Sequence, residues 1–208
     1  EACALASEFA LTVATRISGT WLGISGRDTQ RPPDGDHMVI KVGERSKGLA
    51  RIRDWFAAEG GDRLVIYDPY FDMDGLKVVE MLSRENPNCA FHILTGPHVL
   101  EKKDEPVQEA FRDYWTEHVS SAPPPDIRIL IVKTDSPDGT PLHDRWLTSD
   151  RSGLKLGTSL NGLGKRDSFI DRMDALQLEQ AQNESEAYIE LRQHFAGNDR
   201  IRYLGFNL

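Results

Sequence analysis

Three compact apolar stretches constrain this chain most: "RLVIYD" (63–68), "AFHILTG" (90–96) and "DIRILIVK" (126–133). Each reads as a buried strand, and each follows a segment with helical spacing. The first is preceded by "SKGLARIRDWFAAEGG", where Leu49, Ile52, Trp55 and Phe56 recur on one helical face before a double-glycine stop. "GLKVVEMLSREN" runs to Pro87, and "EPVQEAFRDYWTEHVSS" breaks at "APPP". Helix–strand repeats of this kind imply a parallel sheet covered by helices. "MVIKV" (38–42) adds a short strand. Residues 4–17 read as an amphipathic helix and 19–36 as a Gly/Pro/Asp-rich linker, giving an N-terminal helix and linker over 1–36 and a domain over 37–208.

The pattern then changes. "LHDRWLTS" and "GLKLGTS" read as two strands joined by the turn "DRSG". "SEAYIELRQHFA" reads as a late helix and "RIRYLGF" as a last strand.

The pair of strands carries the chemistry. Side chains alternate faces along a strand, so His143, Arg145 and Leu147 are expected on one face, and Leu142, Asp144, Trp146 and Thr148 on the other. A guanidinium offers a planar fork of donors to a phosphate, and an imidazole beside it can act as nucleophile or general acid. On the next strand Ser159 and Asn161 share a face and can donate to non-bridging oxygens. Gly157 leaves room for close approach of backbone to ligand, and Asp150 sits in the turn. Singly, each has an ordinary structural reading: a strand histidine, a turn aspartate, an Asn-Gly after a strand. Their joint spacing is the signal.

His143-x-Arg145-x4-Asp150, followed by Gly157-Thr158-Ser159-x-Asn161, resembles the phospholipase D superfamily signature H-x-K-x4-D with G-S-x-N. Arg145 stands where that pattern has Lys, a Thr separates the Gly from the Ser, and the stretch from the Asp to the Ser is about one residue longer. "LVIYDPYF", "HDRWLTSDRSGLKLGTSLNGLG" and "KRDSFI" are similar, in the same order, to the phospholipase D-like C-terminal domain of MIT-domain proteins. The resemblance implies a three-layer α/β/α sandwich with a mixed, mostly parallel sheet. It implies metal-independent chemistry without a cofactor. His143 attacks phosphorus, Arg145, Ser159 and Asn161 hold the phosphoryl oxygens, and Asp150 anchors the strand pair. A second His protonates the leaving group, and a chain with one motif implies a homodimer with a composite site. Asp68 and Tyr70, at a strand end, then line the cleft, with Lys165, Arg166 and Asp167 available to a phosphodiester.

Two function classes follow. One is a phosphodiesterase, nuclease in type; the other is a non-catalytic module binding phosphoinositide, nucleic acid or a protein. Retained Ser159 and Asn161 favour the first. Arg145 and a net charge of −8 favour the second and exclude a global basic footprint, leaving a local patch open. Asp68, Asp72 and Asp74 in "YDPYFDMDG" read as a polar loop with a capping Asp74 rather than a metal site. Trp55 and Trp115 read as core. Cys3 and Cys89 fit no metal or redox spacing, and no apolar run is long enough to cross a bilayer. The expectation is a cytoplasmic protein. A start at Glu1 without a basic leader suggests part of a longer chain.

Overall fold

A computed structural model describes residues 36–100, 106–136 and 139–208. The chain divides into two units, Glu1–Pro33 and Asp34–Leu208, and the described residues belong to the second. The helix expected over 4–17, most of the linker and residues 101–105, the last of which opens "EPVQEAFRDYWTEHVSS", lie outside them.

Among the described residues nine strands form one sheet: β1 (His37–Ile40), β2 (Arg63–Tyr67), β3 (Ala90–Thr95), β4 (Ile127–Thr134), β5 (Trp146–Thr148), β6 (Gly153–Leu156), β7 (Ser168–Arg172), β8 (Phe195–Ala196) and β9 (Asp199–Asn207). Their spatial order is β1-β7-β6-β5-β2-β3-β4-β9-β8. Helices α1 (Arg45–Glu59), α2 (Leu76–Glu85) and α3 (Val107–Tyr114), the last running into a π-helical turn at Trp115–Val119, connect the first four strands, and α4 (Ala175–Ile189) follows β7.

The fold is mixed α/β, but its sheet is not mostly parallel. Only β2–β3 and β3–β4 pair in parallel among the described pairings. The rest are antiparallel. The reason is local: β5, β6 and β7 are joined by connections too short for a parallel crossover, so each must reverse.

Strand alternation divides the core in two. Leu64, Ile66, Ile93, Ile129, Ile131 and Leu147 pack with Trp55, Phe56, Val79, Phe111 and Trp115 of the first three helices and the π turn. Val65, Tyr67, Leu94, Leu130, Val132 and Trp146 pack with Ala181, Tyr188 and Ile189 of α4. Both tryptophans read as core are buried. On the α4 side Tyr67 and Trp146 are a cross-strand pair, stacked with ring centroids 4.0 Å apart. The Tyr67 hydroxyl donates to Glu184 (2.6 Å) and the Trp146 indole N–H to Ser185 (3.1 Å). Aromatic bulk and two polar tethers thus fix α4 on the sheet.

Two elements depart from the sequence reading. The strand expected over "LHDRWLTS" is only Trp146–Thr148. Upstream, Pro141 has no N–H, and the Leu142 N–H turns to the Thr140 hydroxyl (3.2 Å), so the ladder cannot extend. The late helix begins at Ala175, not at Ser185, and ends before "RQHFA". Asp174 and Gln177 form a reciprocal capping box (2.8 and 3.1 Å). Leu191 at φ +57° turns the chain out of the helix. The strand β7 has no counterpart in the sequence reading.

The cap gives a direct stability test. Asp174→Ala removes the acceptor for the Gln177 N–H and should cost about 0.5–2 kcal/mol in urea unfolding, with the m-value unchanged. A loss within error of zero would mean that tertiary contacts alone set the start of α4.

Candidate functional site

Sheet register gathers one set of chain ends. Tyr67 pairs with Trp146, so Asp68, which follows β2, sits beside Arg145, which precedes β5. Trp146 pairs with Lys155, and the Leu156 N–H donates to the Arg145 carbonyl (2.8 Å), so Gly157–Asn161 emerge next to Arg145. Parallel pairing brings the segment after β3 to the same end. There the Thr95 hydroxyl donates to the Phe71 carbonyl (2.8 Å) and the Gly96 N–H to the Pro69 carbonyl (3.0 Å).

These ends enclose a cleft of about 540 Å³. Arg145, Tyr70 and His98 line one part of it; Ser159, Asn161, Lys165 and Arg166 line another. Asp72, Thr158 and the glycines 157 and 162 complete it.

Beneath the lining lies Asp68, 1% exposed. One carboxylate oxygen accepts the Tyr70 N–H (3.0 Å) and the other the Leu160 N–H (2.9 Å). Burial pushes its pKa above the usual carboxylate range, while the two N–H donors and the Arg145 charge pull it down without cancelling the effect. Asp68 therefore positions two loops and is not a cleft-lining residue, as the sequence reading had it. Tyr70 does line the cleft.

Arg145 has its guanidinium carbon 5.1 Å from the centre of the Tyr70 ring, and its buried Nε has no hydrogen-bond partner. Lys165 and Arg166 are exposed on the rim, and neither side chain has an ion pair among the described residues. Asp167 is exposed and not part of the lining, pairing with Lys41 (2.8 Å) and accepting the Val42 N–H (3.2 Å). Ser159 starts the 3-10 turn Leu160–Gly162 without spending its hydroxyl on the cap. Asn161 is different. Its amide group donates to the Asp72 carboxylate (2.6 Å) and the Tyr70 carbonyl (3.3 Å), leaving a buried, unpartnered oxygen. Turning the amide over would set oxygen against two acceptors, so its donors are committed to the protein.

Gly157 lies on the cleft wall, but packing dictates the glycine: an added Cβ would stand 2.7 Å from the Phe169 ring. The same loop is pinned by the Arg45 guanidinium, which donates to the Leu160 carbonyl (2.8 Å). Gly164 at φ +72° packs against the Arg45 backbone.

The other two residues of the motif lie elsewhere. His143 is exposed, outside β5, and is not among the lining residues. The face shared by His143 and Arg145 in the sequence reading does not persist, because the chain before Arg145 is not strand. Leu142 and Trp146 do lie on one side, both in the α4-facing core. Asp150 is at the opposite end of β5, in a second cleft of about 340 Å³ with Arg63 and Glu186. Conversely, His98 and Asp72 enter the lining without having been singled out as ligand contacts. The signal for them was positional: ligands in α/β sheets bind outside the carboxyl ends of parallel strands, and "YDPYFD" and "TGPH" are those ends.

Among the described residues no group of three or more His, Cys, Asp or Glu side chains converges as metal ligands do. Asp72 accepts the Asp74 N–H (2.9 Å), and Asp74 pairs with Lys77 (2.9 Å). No helix among them is long and apolar enough to cross a membrane.

The buried carboxylate has a pH signature. A folded pKa above the unfolded value of about 3.9 means that the native state binds more protons in the interval between the two. The stability Asp68 contributes is therefore full below the unfolded pKa and declines as pH rises through the folded one. Urea unfolding of the native chain and Asp68→Asn at stepped pH should show the native chain losing ground to the variant from about pH 4 upward. Parallel curves would contradict the placement of the charge. No family model matches this chain, and no curated protein matches it. A solved structure of TrmBL2, an archaeal chromatin protein described as showing a novel mode of DNA binding, is similar with a TM-score of 0.43 and 11% identity over 97% of this chain. This chain spans 64% of that one. A likeness at this level assigns neither a fold family nor a ligand.

Proposed function

We propose that the Arg145 cleft binds a phosphodiester, on a phospholipase D-like domain of three layers with helices on both faces of the sheet. One observation carries this reading. Among the described residues three cations that make no ion pair, Arg145, Lys165 and Arg166, meet an uncommitted Ser159 hydroxyl in one cleft of a chain whose net charge is −8, and the buried Asp68 near Arg145 and Asp74 near Lys165 offset only part of that charge. Like charges gathered against the overall balance repel one another, and a bound anion relieves that cost. The single carboxylate among the described lining residues, Asp72, already accepts from Asn161 and the Asp74 backbone. Phosphate oxygens suit the site because Arg offers a fork and Lys a point charge.

A second reading is hydrolysis through a phosphohistidine at a site completed by another copy of the chain, with a nuclease as its natural form. Its support is the exposure of His143 two residues from Arg145, open to a partner rather than to its own cleft. Binding by one chain needs only groups already in the cleft, and so is the reading favoured by the geometry.

Two phosphodiester sources test it, a fluorescent oligonucleotide and vesicles of phosphatidylcholine with phosphatidylserine. At least one should bind, and Arg145→Ala should weaken that binding by about 1.5–3 kcal/mol, the value of a hydrogen bond to a charged group. For the oligonucleotide, Lys165→Ala should reduce the logarithmic salt slope by about 1. Affinity unchanged in both variants would place the ligand elsewhere. The hydrolytic reading adds that bis(para-nitrophenyl) phosphate is cleaved in EDTA, by dimers and not by monomers, and that His143→Ala abolishes cleavage.

A further inference from the structure

We infer that the ligand of this cleft is a single nucleic-acid strand, one base of which stacks on Tyr70. The inference rests on the phosphodiester reading above and adds the chemical class of the ligand. Both membrane lipids and nucleic acids present phosphodiesters, so the part of the cleft that does not touch phosphate must discriminate between them.

No aliphatic side chain lines the cleft among the described residues. A lipid headgroup held there would find cations but no apolar seat for the glycerol and acyl carbons. What the cleft does offer is one aromatic face. Tyr70 is 55% exposed, an unusual outlay for a ring that flanks a deep core. It is also held in place. Its backbone is tied to Asp68 (3.0 Å), Arg145 lies 5.1 Å from its centre, and the His98 ring is 5.8 Å away. A fixed aromatic ring next to phosphate-binding cations is the arrangement by which proteins hold unpaired bases, since every base has a face to stack and every linkage a charge to neutralise. In a duplex those faces are covered by their neighbours, so the partner is single-stranded.

The test uses the intact chain and three probes: a labelled oligothymidylate, the same strand with abasic sites, and phosphatidylcholine vesicles containing phosphatidylserine. The native chain should prefer the base-bearing strand to the abasic strand by about tenfold or more, the range expected for one stacked base. It should prefer that strand to its duplex as well. Tyr70→Phe should keep the preference, and Tyr70→Ala should erase it, the variant binding the two strands with equal affinity. The hydrogen bonds at this residue are made by its backbone, so the alanine variant retains them, and the abasic comparison in the native chain stands even if the variant misfolds. Equal affinity for the two strands, or vesicle binding that the oligonucleotide does not compete away, would overturn the inference and leave the phosphodiester reading in place. Binding to none of the probes would remove both.

Discussion

The carboxylate of Asp68 is the point on which the candidate site depends. It is buried at the end of β2, where a charge is costly, and it is retained with two backbone N–H donors, one from the loop after β2 and one from the loop after β6. Those loops supply Tyr70, Ser159 and Asn161. Without the carboxylate, both N–H groups would lose their acceptor in a dry position, and the spacing between the two walls would no longer be fixed. The nearby Arg145 charge favours the ionised carboxylate in turn. The cation that faces the cleft and the anion that shapes it therefore support each other.

Above this bridge the cleft is assembled by the sheet's change of direction. β2 has a parallel neighbour on one side and an antiparallel neighbour on the other. At that junction the ends of β2, β3 and β6 and the start of β5 come together. An all-parallel sheet would send the start of β5 to the far end, and Arg145 with it. The reversal also separates Arg145 from Asp150, which closes the other end of the same hairpin beside Arg63 and Glu186. The motif is contiguous in sequence, but its members face different parts of the molecule.

This explains how far the sequence could be read. The strands β2, β3 and β4 and the first three helices were legible because buried strands and amphipathic helices leave strong periodic signatures. The "GTSLN" loop and Arg145 were legible as neighbours in one cleft because the hairpin between them sets their ends side by side. Asp68 was visible as a strand-end residue, but its role was not, since a buried acceptor of two N–H bonds looks in sequence like any polar loop residue. β7 was missed because "SFIDR" mixes charge with apolar residues, and one of its partners, β1, is distant in sequence. The start of α4 was missed because Leu176, 56% exposed, and its glutamine-rich neighbours carry little apolar pattern. Only the Asp174–Gln177 cap marks that boundary. Asn161 shows a different limit: its identity suggested a donor to phosphate, but its two neighbours consume the donors.

The central claim is that an anionic phosphodiester is held between Arg145 and the segment Gly157–Arg166. An NMR titration of the nitrogen-15-labelled chain with dimethyl phosphate tests it most directly, because this ligand has neither base nor acyl chain. The account predicts that the Arg145 side-chain Nε–H and the backbone amides from Gly157 to Arg166 shift together along one saturating curve, while the amides around Asp150 and Glu186 stay still. Shifts concentrated at the Asp150 cleft, or saturating shifts that leave Arg145 unmoved, would contradict it.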